Sequence, residues 1–218
     1  MSALDELVAV MARLRGPGGC PWDAEQTHAS LVPYVIEEAH ELAEAVEVRE
    51  DGRGDDAHLR EELGDVLLQV VFHADIARAE GRFDVDDVAR TLIAKLRRRH
   101  PHVFDDVAVD GVADVVANWD AIKRAEKPER SSALDGIPAG LPALARAEKT
   151  MSRARRAGLE LPAAAVDAAD PADEQALGAA LLGMVRTASD RGLDAERALR
   201  AATRALELQL REQEATAG

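Results

Sequence analysis

Two short acidic segments have the residue types and the spacing of a cation site. The first reads "EEAHE" and contains Glu37, Glu38 and Glu41; the second reads "EELGD" and contains Glu62 and Asp65. Each holds an acid-x-x-acid pair, whose members lie on one side of a helix because residues three apart are neighbours there. Carboxylates that meet where water is scarce do not all stay ionised without a cation. Oxygen ligands select Mg²⁺, or Mn²⁺ as the second choice, rather than zinc.

The first acidic segment lies on a predicted amphipathic helix. Its apolar residues form one stripe that is expected to face the core: Val35, Ala39, Leu42 and Val46. At about 100° per residue, Glu38 lies at the margin of this stripe and Glu41 one step beyond it. Glu37 and Glu44 point away from the stripe. Glu44 is therefore predicted to face solvent, while the role of Glu37 stays open.

The second acidic segment lies on a predicted helix that is apolar nearly all round. Its main stripe, expected to face the core, consists of Leu59, Leu63, Val66, Val70 and Ala74. Its far side is apolar as well, with Leu68, Val71 and Phe72. Such a helix is buried between neighbours. On it, Glu62, Asp65 and Gln69 form one narrow polar line. Gly64 costs about 1 kcal/mol relative to Ala, which favours close approach of another helix or of a ligand.

A solvated helix face is the ordinary interpretation of a single acid-x-x-acid pair. Here, however, the second pair lies on a helix predicted to be buried, at the same angular position as the first pair. The two helices are joined by the short polar turn "EDGRGDD", so both pairs can meet. We therefore predict a metal site whose ligands are Glu38, Glu41, Glu62 and Asp65.

A basic segment, "KLRRRH", reverses the charge of an otherwise acidic chain. Lys95 and Arg99 lie four residues apart in it, hence on one helix face. Cations at a helix C-terminus also complement the helix dipole, which is the simpler explanation. Beside a magnesium site, such side chains would hold phosphate oxygens. Trp119 and Lys123 in "NWDAIK" repeat the spacing, and Trp119 is either a core residue or a platform for a base or ribose. Trp22 has the same two interpretations.

Composition limits the classes of protein to which the chain can belong. Of its 218 residues, 47% are hydrophobic, 31% charged and only 3% aromatic, which favours helices over a β-sandwich or barrel. A net charge of −14 disfavours nucleic acids and anionic membranes as partners. There is no signal-peptide pattern and no apolar run near the roughly 20 residues of a membrane span. Cys20 is the single cysteine, so we expect a cytoplasmic protein without an intramolecular disulfide.

Hydrophobic periodicity predicts an all-α fold. The predicted helices cover Leu4–Leu14, Asp23–Leu31, Pro33–Arg49, Asp56–Glu80, Val85–His100, Val112–Lys127, Ala143–Ala157, Glu174–Arg191 and Asp194–Glu214. Asp23 and Gln26 are expected to form a capping box. Three prolines, two glycines and two serines in "KPERSSALDGIPAGLP" predict a linker. The predicted organisation is a main domain over 1–127, a linker over 128–142 and a smaller helical region over 143–218.

With these segments assembled, the chain resembles the MazG family of nucleoside triphosphate pyrophosphohydrolases, in the all-α NTP pyrophosphatase superfamily. The family motif is EExxE followed by ExxD, and here it reads "EEAHE" and "EELGD". The segments "GCPWDAEQTHASLVPY", "LGDVLLQVVFHA", "KLRRRHPHVF" and "NWDAIK" are also similar, in the family's order. The resemblance covers about Leu4–Leu144. It implies a helical bundle that forms an intertwined homodimer and buries apolar faces such as the one with Leu68, Val71 and Phe72.

The resemblance also implies an activity, the Mg²⁺-dependent hydrolysis of NTPs and dNTPs to nucleoside monophosphate and pyrophosphate, for nucleotide-pool housecleaning or in stress. The metal ligands carried over from the family are Glu38, Glu41, Glu62 and Asp65. Glu38 or Glu41 would also be the catalytic carboxylate that orients water or takes its proton. The residues carried over for substrate binding are Lys95, Arg99, Trp119 and Lys123. A narrower housecleaning or alarmone hydrolase and a catalytically silent dimer that binds nucleotides or a protein stay open as alternatives.

The region after the linker resembles a second, degenerate domain of the same family. Longer members carry two domains in tandem, and "LPALARAEKTMSRARRAGLEL" is similar to the start of the second one. The positions of its ExxD acids hold Ala176 and Ala179, and those of its basic pair hold Ala205 and Gln209. "PAAAVDAADPAD" stands where its EExxE helix is expected. We therefore expect a truncated repeat that kept its packing and lost its chemistry, with any activity in the first domain.

Overall fold

The structure, a computed structural model, describes residues 2–50, 52–105, 107–161 and 171–217. These residues form ten helices and no strand, which confirms the predicted all-α class. The helices are α1 (Ala3–Arg15), α2 (Pro21–Glu25), α3 (Val32–Glu50), α4 (Asp56–Ala79), α5 (Val85–Arg99), α6 (Pro101–Phe104), α7 (Val112–Glu126), α8 (Ala143–Arg156), α9 (Glu174–Asp190) and α10 (Ala195–Ala217). None of them has both the length and the apolar character required to span a bilayer.

Side-chain caps fix the starts of three helices in the first part of the chain. Ser2 and Asp5 form a capping box at α1, and Asp84 and Asp87 form another at α5. At α4 the cap is Asp55, whose Oδ1 accepts a hydrogen bond from the backbone amide of His58, 2.9 Å away. Each cap satisfies an amide that the helix itself leaves without a partner.

The predicted capping box of Asp23 and Gln26 is wrong. Helix α2 begins earlier, at Pro21, whose ring fixes φ for the first helical turn. Asp23 therefore lies inside α2, and Gln26 adopts extended backbone after its last residue. The side-chain amide of Gln26 instead donates a hydrogen bond from Nε2 to the backbone carbonyl of Trp22, 2.9 Å away. The longer helix expected up to Leu31 is replaced by turns, from which α3 begins.

The chain divides into two compact units, Met1–Asp120 and Ala121–Gly218, and the division falls inside α7. The core of the first unit consists of Met11, Leu31, Val71, Phe72 and Ile76. Met11 lies on α1, Leu31 directly precedes α3, and the other three residues lie on α4, so this core holds the three helices together. Because Val71 and Phe72 are each only 3% exposed and Leu68 packs against them, this face of α4 is already covered within the chain. The expectation that a dimer buries this face is therefore wrong.

Helices α3 and α4 pair extensively, but not through the apolar stripes predicted to face the core. On α4 the polar line is buried, with Glu62 8% and Gln69 5% exposed, whereas Leu63 is 52% and Val70 41% exposed. On α3, Ala39 and Val46 are exposed as well, whereas Val35 and Leu42 are half-buried. The covered faces of both helices are therefore rotated from the predicted stripes towards the acidic residues. Periodicity identifies an apolar stripe, but it does not show whether this chain or a second protein chain covers that stripe.

A buried ion pair ties α1 and α2 to α4. The Arg15 guanidinium donates to Asp75 Oδ2 at 2.9 Å and to the carbonyl of Asp23 at 2.7 Å, and it lies over the Phe72 ring. Asp75 is 5% exposed and also accepts from Arg78 at 2.6 Å. Both oxygens of this buried carboxylate are thus bonded to cations, as a charge inside a protein requires.

In the second unit α8, α9 and α10 pack against one another, around Ala154, Ala180 and Val185. The Arg155 guanidinium donates to Asp190 at 2.6 Å and so links the end of α8 to the end of α9. The segment predicted as a linker is bound to α8, because Arg153 donates to the carbonyl of Asp135 at 2.7 Å. Most of "PAAAVDAADPAD", the segment predicted to replace an acidic helix, lies outside the described residues. So do residue 51 of the predicted turn and residue 106.

Candidate metal and phosphate site

The pairing of α3 with α4 brings the carboxylates of Glu38, Glu41 and Glu62 together. One oxygen from each lies within 4.8 Å of the others. Glu62 is buried, Glu38 half-buried and Glu41 exposed, so the cluster opens to solvent on one side. This is the geometry of an accessible site with a buried floor. It is formed by residues from both predicted acidic segments.

This set of oxygens fits a small, hard cation. Oxygens that share one Mg²⁺ at about 2.1 Å lie at most about 4.2 Å apart, so a slight rotation of long glutamate side chains closes the remaining gap. The carboxylates lie on one side of the cluster, and its other side is open. A bound cation could therefore also hold water molecules and phosphate oxygens, as Mg²⁺ usually does in proteins. The residues present therefore fit the predicted metal.

Glu38 shows the electrostatic consequence of this crowding. Partial burial raises the pKa of its carboxyl above the usual value, and the nearby negative charges of Asp65, Glu41 and Glu37 raise it further. Asp65 is thus close enough to Glu38 to act on its charge, although it is not one of the three clustered oxygens. A bound cation would reverse the effect, because it favours the ionised carboxylates.

The other glutamates of α3 differ in their exposure. Glu44 is exposed, as expected of a residue that faces solvent, and so is Glu37. Glu47, three residues beyond Glu44, is buried. The sequence analysis gave no role to Glu47, since it lies outside the family motif.

His58 is a neighbour of the site that the sequence analysis missed. It lies one turn before Glu62 on α4, and its Nδ1 is 3.3 Å from Glu62 Oε1. The side chain of His58 is half exposed, whereas that of Glu62 is nearly buried. The i, i+4 spacing of the two residues was the available signal, because such pairs face each other on a helix.

The basic and aromatic candidates lie at the end of α5 and on α7. Lys95 is exposed on α5, and Arg99 is the last residue of that helix. His100, which follows it, packs edge-on against the ring of Trp119, with ring centroids 5.1 Å apart. This contact brings the middle of α7 to the end of α5. Lys123 follows Trp119 by one turn and belongs to the second compact unit.

Trp22 is half exposed, which disfavours its interpretation as a core residue. Its ring lies edge-on to that of Tyr34, with centroids 5.8 Å apart. Tyr34 lies in the first turn of α3, and Glu38 follows it one turn later. An exposed aromatic pair therefore lies at one end of α3, on the helix that also provides two of the clustered carboxylates.

Comparison with known proteins adds an independent finding. A family model described as the MazG nucleotide pyrophosphohydrolase domain matches residues 26–104. The matched range includes both acidic pairs, Lys95 and Arg99, and it ends before Trp119.

Three curated relatives extend this similarity over most of the chain. An uncharacterised protein of Streptomyces cacaoi is 49% identical over 90% of this chain and 76% of its own length. A Thermotoga maritima protein named nucleoside triphosphate pyrophosphohydrolase/pyrophosphatase MazG is 43% identical over 92% of this chain and 81% of its own length. The nucleoside triphosphate pyrophosphohydrolase of Escherichia coli K12 is 46% identical over 73% of this chain. The matching part spans 60% of that longer protein.

Proposed function

Since this chain belongs to the MazG family, we propose that it hydrolyses nucleoside triphosphates, both NTPs and dNTPs, to the nucleoside monophosphate and pyrophosphate. The observation that carries the proposal is the cluster of Glu38, Glu41 and Glu62, whose oxygens converge within 4.8 Å on the paired acidic helices. The names of the Thermotoga maritima and Escherichia coli relatives support the same reaction.

We propose Mg²⁺ as the metal, with Mn²⁺ as a substitute, held by Glu38, Glu41, Glu62 and Asp65. When bound there, it would supply positive charge that neutralises phosphate oxygens and makes water more acidic. Glu38 or Glu41 would orient the attacking water and take its proton. Glu38 suits this role, because a raised pKa brings a carboxylate closer to the pH at which it accepts a proton.

The cationic side chains would bind the part of the substrate that leaves. Lys95 and Arg99 share one face of α5, so both can contact the oxygens of one pyrophosphate group. Positive charge is most useful there, since negative charge develops on the leaving group as the bond breaks. Trp119 would stack on the base or ribose, and Lys123 would add a further positive charge.

We propose that the catalytic domain corresponds to residues 1–127, and that the region 143–218 is a degenerate repeat without its own site. Ala176 and Ala179 stand where that repeat would need acids. Housecleaning of the nucleotide pool is the role that suits this chemistry, and we propose a cytoplasmic location, where its substrates are. Its net charge of −14 supports small nucleotides rather than nucleic acid or membrane as partners.

We further propose that the protein is a homodimer. The support is the apolar stripe that α3 and α4 leave exposed, which includes Leu63 and Val70. Apolar surface of this kind on paired helices is typical of an interface between protein chains. A second copy would cover these stripes while leaving the core around Phe72 unchanged.

The reaction is tested by incubating the full chain with a panel of NTPs and dNTPs, with and without Mg²⁺, and identifying the products. We expect nucleoside monophosphate and pyrophosphate in a 1:1 ratio, only when the metal is present. Release of orthophosphate would contradict the proposed cleavage position. Nucleotide binding without turnover would instead support the silent helical dimer.

Substitutions in the acidic pairs test the residues that carry the reaction. We expect Glu41→Ala and Asp65→Ala each to lower kcat by at least about 100-fold, because each removes a proposed metal ligand. Circular dichroism should show unchanged helix content in both variants. Glu44→Ala, the matched control on α3, should keep more than half of the wild-type kcat. Wild-type turnover by either pair variant would contradict the proposed ligand set.

A further inference from the structure

Trp22 and Tyr34 form an exposed aromatic pair to which neither the fold nor the proposed chemistry gives a role. Trp22 is 50% and Tyr34 is 38% exposed. Their ring planes meet at 87°, with centroids 5.8 Å apart, so the contact is edge-to-face. In such a contact one ring uses its edge and the other uses one face. Each ring therefore keeps at least one face that the other ring does not cover, and another flat group can stack on such a face.

The backbone that carries Trp22 is held in place by hydrogen bonds. The carbonyl of Trp22 accepts from the side chain of Gln26 at 2.9 Å, and Gln26 in turn accepts from Ser30 Oγ at 2.8 Å. The carbonyl of the next residue, Asp23, accepts from the guanidinium of Arg15 at 2.7 Å. Trp22 is thus presented to solvent from a fixed backbone. A rigid ring on such a backbone loses little conformational entropy when a ligand stacks on it.

Tyr34 shares one face of α3 with two of the clustered carboxylates. Glu38 follows Tyr34 by four residues and Glu41 follows it by seven, so at about 100° per residue the three lie within about 60° of one another. At 1.5 Å per residue, Glu38 lies about 6 Å and Glu41 about 10 Å further along the helix axis. Tyr34 and Glu41 are exposed and Glu38 is half-buried, so this face is open to solvent. The acidic cluster and the aromatic pair are therefore neighbours on one accessible surface.

A nucleotide carries its groups in the order that this surface requires. Its phosphates bind where a cation binds, its ribose follows, and its flat base lies at the far end. With the phosphates at the acidic cluster, the ribose spans the distance along α3 and the base reaches the aromatic pair. Every base has a π-face, so stacking on aromatic side chains tolerates all of them.

We propose that Trp22 and Tyr34 bind the nucleobase of the substrate, with one ring stacked on the base and the other beside it. This inference rests on the proposed pyrophosphohydrolase function, and it names the part of the site that distinguishes a nucleotide from other triphosphates. Trp119, which is less exposed than Trp22, then contacts the ribose. Because stacking does not depend on the identity of the base, the pair contributes to the binding of all four nucleotides.

The test compares wild type with Trp22→Leu, Tyr34→Leu and Tyr34→Phe in the full chain. The leucine variants keep an apolar side chain and remove the ring, whereas Tyr34→Phe keeps the ring. Phe83→Leu is the matched control, because Phe83 is 39% exposed and lies beyond the end of α4. For each protein, kcat and KM are measured with ATP, GTP, CTP and UTP. The inhibition constant of inorganic tripolyphosphate and the oligomeric state by light scattering are measured as well.

We expect KM to rise roughly 5- to 100-fold for all four nucleotides in both leucine variants, as the loss of one stack on a base requires. Tyr34→Phe and Phe83→Leu should keep a KM within about threefold of wild type. The inhibition constant of tripolyphosphate should stay the same in every variant, because this inhibitor has phosphates and no base. A disturbance of the fold would instead weaken nucleotides and tripolyphosphate alike.

The inference is wrong if both leucine variants keep the wild-type KM, or if the inhibition constant of tripolyphosphate rises as much as KM does. A change in oligomeric state would also overturn it, since the pair would then belong to an interface between chains. If neither leucine variant folds, the pair has a structural role and the inference fails. A wild-type protein that releases no pyrophosphate would refute the proposed function. Equilibrium dialysis with ATP then tests the base contact alone, and equal binding by wild type and both leucine variants would refute that contact.

Discussion

Gly64 lies between the two acids of the second pair, and the space beside its Cα is open. A Cβ added there would meet no described atom within 4 Å. The close approach that would explain a glycine is therefore not provided by the described part of the chain. A helix interior strongly favours Ala over Gly, because Gly has more backbone entropy to lose.

We expect Gly64→Ala to raise the free energy of unfolding by about 1 kcal/mol, measured by urea denaturation without nucleotide or metal. Gly178→Ala on α9 is the matched control, since Gly178 is also helical and has open space beside it. Equal stabilisation of both variants, with a lower kcat only in Gly64→Ala, would show that substrate needs this space. A loss of stability in Gly64→Ala would mean that another copy of the chain occupies it.

The helix phase correctly gave the relative positions of the acidic residues. Glu38 at the margin of its stripe is half-buried, and Glu44 on the opposite side is exposed. The phase did not show which side of the helix is covered. Glu62 and Gln69 are buried, as expected on a helix that is apolar nearly all round, because α3 and α4 meet along the side that carries the acids. Burial depends on the neighbour, and a helix period contains no information about the neighbour.

A chain of polar contacts joins the segment before α3 to the end of α4. Arg82 donates to His28 Nε2 at 2.5 Å, and His28 Nδ1 lies 2.7 Å from His73 Nδ1. Arginine is always a donor, so His28 Nε2 must accept, and its proton is on Nδ1. His73 Nδ1 then accepts from His28. This order of donors requires both histidines to be neutral, because a proton added to either ring places two donors against each other.

We expect the protein to lose stability as the pH falls below 6.5, the usual pKa of a histidine. Burial lowers the pKa of His73 below its usual value of 6.5, and the neighbouring His28 lowers it further. Between the unfolded and folded pKa values the unfolded chain binds more protons, so the free energy of unfolding decreases with falling pH in this window. Above pH 6.5 the full contribution of His73 to the free energy of unfolding is present. Below the pKa of His73 in the folded protein, no further part of it is lost.

Thermal unfolding at a series of pH values measures this effect. His73→Gln should show a weaker pH dependence between pH 5 and pH 7 than wild type does. His40→Gln, at an exposed histidine of α3, should show the wild-type dependence. If His73→Gln keeps the full dependence, the paired histidines are not its source.

At the scale of helices, the sequence predicted most of the fold. Helices α1, α3, α4, α5, α7, α8, α9 and α10 all lie where the periodicity placed them, because capping residues, glycines and prolines mark their ends locally. The exceptions are short helices. Helices α2 and α6 both begin at a proline, and a single turn is too short to show a period. Their ends depend on contacts such as those of Arg15 with the carbonyl of Asp23.

For the whole molecule, the main prediction concerns the exposed stripe of α3 and α4. Leu63→Arg or Val70→Arg would place a charge in the proposed interface, where it has no partner and loses its hydration. We expect each variant to be a monomer by light scattering coupled to size-exclusion chromatography, whereas wild type is a dimer. Leu4→Arg is the control, because Leu4 is an equally exposed leucine on α1. It should leave the dimer intact.

Two results would contradict the homodimer on this face. A monomeric wild-type protein would exclude it directly. A dimer that persists in both Leu63→Arg and Val70→Arg would place the interface elsewhere. The sequence alone could not choose between faces, because Leu63 and Phe72 are equally apolar in a sequence pattern, and only the fold shows that Phe72 is already in the core.

Helix α4 is covered unequally along its length. Residues 71, 72 and 74–77 are buried and lie on all sides of the helix, whereas between Asp55 and residue 71 only Glu62 and Gln69 are buried. The backbone amides of the acidic half should therefore exchange their hydrogens with deuterium through local opening, well before those of the other half, which need global unfolding. If a cation joins the acids of α3 and α4, exchange should slow in the acidic half alone. Deuterium uptake of the peptides from α4 would then report metal occupancy without any substrate.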